Sequence, residues 1–202
     1  MEVQKLNIIS PPTMTLYSGR EVDIFNLKPN DIDIEDIAHA LSNLCRYGGH
    51  CLFHYSVALH SVLCSYEDGT NIEKLAFLLH DASEAFVNDL IRPIKHRPEF
   101  EHYRLEEDKI QKIIFDKFGL EFPFSQRVHD VDNHILRREL GEIIIFNEEI
   151  VEESSKRETS YREARKILRE KKLKNCSIPK ISPEEAEELF LNRFYELKSF
   201  IK

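Results

Sequence analysis

The sequence is poor in glycine and has no long apolar run. Only 6 of its 202 residues are glycine, whereas a β-rich chain of this length would need many tight turns, in which glycine is common. Nowhere do 18 apolar residues stand together, as a membrane-spanning helix requires. The sequence therefore favours an all-α protein, and we expect no membrane partner.

Cysteines in a metal-binding or disulfide pattern are also missing. The 4 cysteines show no Cys-x-x-Cys spacing, so neither a zinc ribbon nor a disulfide framework is predicted. The N-terminal stretch MEVQKLNIISPP has no basic segment followed by an apolar core, which a secretory signal would show. We therefore expect a cytoplasmic protein with reduced thiols.

Basic residues are fewer than acidic ones. The chain has 28 Lys and Arg against 36 Asp and Glu, for a formal net charge of -8. Such a field repels a polyanion from most of the surface, so no nucleic-acid polymer is expected as a partner. A small phosphorylated substrate stays compatible with this balance, because a bound cation and a few basic residues set the potential inside a pocket.

Apolar periodicity predicts a small hairpin followed by helices. A hairpin is expected over 14–25 around Ser18-Gly19, and helical spacing of apolar residues begins at Asp33. The whole chain is interpreted as one domain, 1–202. Within it, 1–30 forms the N-terminal extension with the hairpin, 31–146 the helical core that holds the metal, and 147–202 a polar segment and a C-terminal helix. Further helix starts are predicted at Ser56, Asn71, about Ser125 and Ser182, with Gly119 closing the helix that includes Tyr103.

The sequence LLHDASEAFVNDL contains a His-Asp doublet, which is the main candidate for a functional motif. On a helix, His80 and Glu84 are four residues apart and Asp81 and Glu84 three apart, so all three project toward one side. A neutral imidazole and a carboxylate suit a divalent metal, and a further carboxylate beside them can handle a proton of a bound water. The doublet therefore suggests a metal site.

This doublet resembles the one that names the HD superfamily of metal-dependent phosphohydrolases, whose helical fold brings an earlier His and a later Asp to the same cation. YSVALHSVLC is similar to the segment with the first ligand, and VHDVDNHILRREL to the segment with the last. The resemblance implies an HD-domain helical bundle with one divalent cation (Mn, Co, Ni, Fe, Zn or Mg). The implied ligands are His60, His80, Asp81 and Asp132.

Residues 14–198 look like a branch related to the bacterial and phage 5′-deoxynucleotidases. This resemblance implies that Glu84 assists proton transfer and that Asp89 positions water or protonates the leaving oxygen. It also matches Arg46 to an arginine that reaches the pocket, and Lys95 is a second candidate for binding substrate phosphate. The chain departs from its relatives at Leu59, where they often have an acidic or amide side chain.

The implied reaction is release of phosphate from a deoxynucleoside 5′-monophosphate by attack of a metal-activated water. Three alternatives stay open. The first is a deoxynucleoside triphosphate triphosphohydrolase, because it uses the same four ligands. The second is a cyclic-nucleotide or alarmone phosphodiesterase, and the third a nucleotide-binding HD protein without turnover. The expected partner is a small-molecule nucleotide, and a homodimer is also left open.

Overall fold

The computed structural model describes residues 13–201. Its only sheet within that range is antiparallel and two-stranded, with β1 (Thr13–Thr15) paired to β2 (Glu21–Asp23) in a register that places Met14 opposite Val22. Gly19 has a φ of 81° in the turn between them, a conformation that glycine adopts without steric cost. The hairpin predicted around Ser18-Gly19 is confirmed. Residues 1–12 of the predicted N-terminal extension lie outside the described residues.

Helices make up most of the remainder, so the protein is all-α with a small N-terminal hairpin. Their bounds, in chain order, are α1 (Ile34–Asn43), α2 (Val57–Ser65), α3 (Asn71–Leu79), α4 (Glu84–Val87), α5 (Arg92–Lys95), α6 (Glu101–Phe118), α7 (Gln126–Ile143), α8 (Asn147–Arg157), α9 (Tyr161–Asn175) and α10 (Pro183–Ser199).

Most predicted helix ends agree with the structure because they depend on local capping. Ser56 caps α2 through a bond from the Leu59 amide, and Ser182 caps α10 in a reciprocal capping box. Gly119 ends α6 in the left-handed conformation, as predicted. The cap assigned to Asn71 is wrong by one residue, since Thr70 caps α3 and its hydroxyl accepts from the Glu73 amide.

The core is formed where the C-terminal helix returns to the first helices of the chain. α10 packs against α1, α2 and α3, and α7 packs against α2 and α3. Ile37, Leu41, Leu78 and Phe190 in these helices are fully buried. Burial of such side chains is the main favourable term in folding, and this packing fixes α2, α3 and α7 relative to one another.

One predicted helix is interrupted at the His-Asp doublet. α3 ends at Leu79, a turn follows, and α4 begins only at Glu84. The expectation that His80, Asp81 and Glu84 lie on one continuous helix is therefore wrong. The turn still keeps His80 and Ser83 in right-handed helical conformation.

The polar stretch after α7 forms two helices, α8 and α9, that pack on each other and leave most of their side chains exposed. The polarity of this stretch predicts an exposed loop or a solvated helix, and the structure has helices there. The sequence predicts a helix from about Ser125 to Phe146, and α7 ends three residues earlier, at Ile143. Across residues 13–201, none of the helices combines the length and apolar character needed to cross a bilayer.

Candidate metal centre

The four side chains that the sequence marks as ligands meet at one point of the fold. α2 supplies His60, the turn after α3 supplies His80 and Asp81, and α7 supplies Asp132. The Nε2 atoms of the two imidazoles are 3.3 Å apart. Asp132 Oδ1 is 3.3 Å from His60 Nε2 and 3.9 Å from His80 Nε2, and Asp81 Oδ2 is 3.7 and 3.2 Å from the same two atoms.

Hydrogen bonds on the far side of each ring fix which nitrogen faces this point. His80 Nδ1 lies 2.7 Å from the Phe77 carbonyl oxygen, which can only accept, so Nδ1 is the donor. His60 Nδ1 lies 2.5 Å from Glu139 Oε1. In neutral imidazoles both Nε2 atoms are therefore acceptors.

Acceptors consequently face acceptors at the centre of the cluster. Two imidazole lone pairs and two carboxylate oxygens point toward a common space, and His60 and His80 are both buried. Such a set is unfavourable unless protons or a cation lie between its members. An imidazole whose second nitrogen donates to a carboxylate or carbonyl is also the usual arrangement of a histidine that binds metal. The donor set therefore fits a divalent cation.

Glu139 is the main site residue that the sequence reasoning missed. It is fully buried, and its Oε1 accepts from the Tyr55 hydroxyl at 2.7 Å as well as from His60. Its Oε2 accepts from the Tyr47 hydroxyl and lies 3.3 Å from Arg46 Nη2. Burial raises the pKa of Glu139, but His60 and Arg46 outweigh it and lower the pKa to about 2. The side chain is thus an anion that holds His60 in place.

Cys64 is the second residue that was missed. Its Sγ lies 3.6 Å from His60 Nε2, and one ligand atom each from His60, Cys64 and His80 lie within 4.8 Å of one another. All three side chains are buried. The spacing of four residues between His60 and Cys64 on one helix could have suggested this group. The imidazoles can therefore share a metal with the carboxylates or with the thiol.

Arg46, which the resemblance implies as a pocket residue, lies beside the cluster. Its Nη1 lies 3.3 Å from Asp81 Oδ2, and its Nη2 faces Glu139. Arg46 opens a short helical turn, Arg46–Gly49, in which Tyr47 has a φ of 58°. This left-handed conformation is uncommon outside glycine, and it accompanies the bond from the Tyr47 hydroxyl to Glu139. The turn thus brings two donors to one buried carboxylate.

Glu84 and Asp89 lie close enough to the cluster to interact with it electrostatically. Glu84 is buried, and its Oε2 has no hydrogen-bond partner among the described residues. Burial raises the pKa of Glu84 well above its usual range, and the charges of Asp81 and Asp89 raise it further. Burial also raises the pKa of Asp89, which is half-buried. Both carboxyls are therefore candidates to hold a proton beside the cluster.

A cavity of about 440 Å³ opens beside the doublet. His80, Asp81 and Lys95 line it, and Phe122 and Phe124 form an aromatic part of its wall. The predicted phosphate-binding residue Lys95 does face this cavity, but its Nζ is 2.7 Å from Glu107 Oε1. Lys95 is thus already paired. Arg92 instead lies 3.3 Å from Asp132 Oδ2, which makes it a second basic residue at the cluster.

Comparison with known proteins gives two relatives. Over 130 residues the chain is 39% identical to the uncharacterized protein YfdR of Escherichia coli (strain K12), a match that covers 62% of this chain and 70% of YfdR. The chain belongs to the same family as YfdR. Over 145 residues it is also 33% identical to the uncharacterized protein RCAP_rcc00048 of Rhodobacter capsulatus, covering 66% of this chain and 74% of that protein. No family model matches the chain.

Proposed function

We propose that the protein is a metal-dependent phosphohydrolase that releases phosphate from nucleotides, with deoxynucleoside 5′-monophosphates as its substrates. The observation that carries this proposal is the meeting of two Nε2 acceptors, 3.3 Å apart, with the carboxylates of Asp81 and Asp132. The resemblance of the three ligand segments to the HD superfamily supports the same reaction class. In this proposal His60, His80, Asp81 and Asp132 hold one divalent cation.

A divalent cation on such ligands lowers the pKa of water and offsets the charge of a phosphoryl group. The protein's own contribution is orientation. Glu139 accepts from His60 Nδ1 and keeps the His60 lone pair directed at the centre, while the Phe77 carbonyl does the same for His80. Arg46 draws the carboxylate of Asp81 toward it at 3.3 Å. These bonds fix the ligands before substrate arrives, which limits the cost of organising the site during the reaction.

Glu84 is proposed to move the proton. Its carboxyl is buried, Oε2 is unpartnered among residues 13–201, and its pKa is raised by burial and by the neighbouring carboxylates. A carboxyl whose pKa is raised in this way can hold a proton and exchange it with a neighbouring group. Asp89, whose pKa burial also raises, is proposed to position the attacking water or to protonate the leaving oxygen.

The cavity beside the doublet is proposed to hold the nucleoside. Its volume of about 440 Å³ lies in the range of small-molecule sites. Phe122, Phe124 and His129 provide aromatic surface for a base, and Lys95 and Arg104 provide positive charge near the phosphate. Lys95 shares its charge with Glu107, so little positive charge is free here. This favours a monophosphate over a triphosphate.

The test is product release from a panel of deoxy- and ribonucleotides with Mn, Co or Mg added. Wild type, Asp81→Ala and Glu84→Gln are compared with Asp130→Asn. This is a matched control because Asp130 lies on α7 near Asp132 but is exposed, and among the described residues its side chain bonds Gln126 alone. We expect orthophosphate from deoxynucleoside monophosphates, lost in Asp81→Ala, strongly reduced in Glu84→Gln and retained in Asp130→Asn.

The products separate the proposal from its alternatives. Release of triphosphate from deoxynucleoside triphosphates would replace the nucleotidase by the triphosphohydrolase. Cleavage of cyclic nucleotides or alarmones alone would replace it by a phosphodiesterase. Metal binding without turnover of any nucleotide would contradict an enzymatic function.

A further inference from the structure

Helix α9 carries a basic face that the proposed reaction does not use. The helix contains seven Lys and Arg residues against two Glu, in a chain whose net charge is -8. Arg162, Arg165, Lys166 and Arg169 follow one another at helical spacing and therefore share one side of it. Together they form one wall of a cavity of about 430 Å³, here called the basic cavity.

The opposite wall of the basic cavity comes from two other parts of the fold. One is the loop 49–52, which includes His50, and the other is the end of α7 and the residues after it, with Ile143 and Ile145. The Leu52 amide donates to the Ile143 carbonyl at 3.0 Å, so these two parts are joined. No acidic residue lines the cavity within the described part of the chain. The α9 wall of the cavity is thus positively charged, and the opposite wall provides no negative charge to balance it.

The four cations of this face have no partner within residues 13–201. None of them forms an ion pair, and none donates a hydrogen bond from its side chain. Lys172 of the same helix differs, because it bonds the Ile144 carbonyl at 2.5 Å and lies 2.9 Å from Glu149 Oε1. Four like charges placed side by side repel one another and destabilise the helix by small amounts. A bound anion would remove that repulsion.

The basic cavity is separate from the metal cluster. Ile143 follows Asp132 by eleven residues on α7, and at a rise of about 1.5 Å per residue this is about 16 Å along the helix axis. The cavity beside the doublet and the basic cavity have no lining residue in common. None of the four implied metal ligands lines the basic cavity either.

We propose that the basic cavity binds a small molecule with a chain of phosphates, such as inorganic tripolyphosphate or the triphosphate of a nucleotide. Guanidinium groups bind phosphate oxygens through paired hydrogen bonds, and three of the four cations are arginines. A nucleic-acid duplex is disfavoured, because the surface is concave and because the neighbouring helix α8 carries four glutamates that would meet a longer polyanion.

The test is isothermal titration of the full chain with inorganic tripolyphosphate. The doubly substituted variant Arg165→Glu/Arg169→Glu removes two cations of the cavity, and both residues are exposed, so the fold should be kept. Lys171→Glu/Lys174→Glu is the matched control, because it makes the same change of charge at two exposed lysines of the same helix outside the cavity. We expect affinity to fall by about tenfold or more in the double variant and by less than about twofold in the control.

Equal affinity in the double variant and wild type, or no binding by wild type, would overturn the proposal. Tighter binding of a short DNA duplex than of tripolyphosphate, lost in the double variant, would also overturn it in favour of a nucleic-acid surface. The readout is binding and not turnover, so the result is independent of whether the proposed phosphohydrolase reaction is correct.

Discussion

Two glutamates of α7 that are three positions apart show what distinguishes the candidate metal site from the rest of the molecule. Glu139 and Glu142 both have a pKa of about 2. Glu142 accepts from the Ser177 amide at 2.6 Å, from the Ile178 amide at 3.1 Å and from Arg138 Nε at 3.0 Å. These groups belong to the helix itself and to the segment before α10, so Glu142 ties one part of the chain to another.

Glu139 differs from Glu142 in the further contacts that its hydrogen-bond partner makes. Its partner His60 presents its other nitrogen to His80, Asp81 and Asp132. Within residues 13–201, no partner of Glu142 faces a second carboxylate or an imidazole. A low pKa with several hydrogen bonds is therefore no sign of a site by itself. What indicates a metal site is an imidazole with one nitrogen hydrogen-bonded to a carboxylate or carbonyl and its other nitrogen facing further acceptor atoms.

The largest expected difference between the two glutamates is in metal affinity. Glu139→Gln removes the charge behind His60, and we expect the affinity for Mn²⁺ to fall by about 10- to 100-fold. Glu142→Gln is expected to leave it within about twofold, because Glu142 touches none of the ligands. Titration calorimetry on both variants measures this, with circular dichroism to establish that each is folded. Equal losses in the two variants would contradict the role given to Glu139.

Substitution of Glu139 should also lower the free energy of unfolding more than substitution of Glu142. Glu139→Ala leaves Arg46 and His60 without their buried anion, so we expect the free energy of unfolding to fall by about 3–5 kcal/mol. Glu142→Ala removes hydrogen bonds at the partly exposed segment 177–178, and a loss of about 1–3 kcal/mol is expected. Urea denaturation measures both. A larger loss at Glu142 would reverse the comparison.

The stability contribution of Glu142 should depend on pH. Burial raises its pKa, but the bonds from Ser177 and Arg138 outweigh it and lower the pKa from 4.5 to about 2. Because the folded value lies below the unfolded one, the stabilisation is complete above about pH 5 and is lost as the pH falls through about 2. The difference in unfolding free energy between wild type and Glu142→Gln should shrink over that range. A constant difference would show that the carboxylate charge is irrelevant there.

The smallest expected effect is at Tyr47. Tyr47→Phe removes one of the donors to Glu139 and leaves those from Tyr55, His60 and Arg46. We expect a loss of about 0.5–1.5 kcal/mol in unfolding free energy and a change in metal affinity below about threefold. Chemical denaturation and metal titration of this variant measure the two quantities. A loss as large as that of Glu139→Gln would mean that the hydroxyl, and not the carboxylate, positions His60.

Helix starts could be predicted because their signals are local. Ser182-Pro183 with Glu185 defines the start of α10, and Gly119 defines the end of α6. The break between α3 and α4 was missed, because His80 and Ser83 keep helical dihedral angles in the turn and no glycine or proline marks it. Such a break follows from tertiary packing around the doublet.

The convergence of His60, His80, Asp81 and Asp132 was expected from the resemblance of three short segments, not from periodicity. Glu139 was missed because its role depends on α7 lying beside α2, a contact between residues 79 positions apart. Its spacing of seven from Asp132 places both on the same side of α7, and this was the available signal. The pairing of Lys95 with Glu107 was likewise invisible without the packing of α5 on α6.

The most direct test of the account is a titration of the purified, metal-free chain with Mn²⁺. Wild type and Asp130→Asn are expected to bind one ion per chain with affinities within about twofold of each other. Asp132→Asn is expected to bind at least about tenfold more weakly, since it loses a ligand charge that faces both imidazoles. Unchanged affinity in Asp132→Asn, with the loss found instead in Cys64→Ser, would place the ion on His60, Cys64 and His80 and contradict the proposed ligand set.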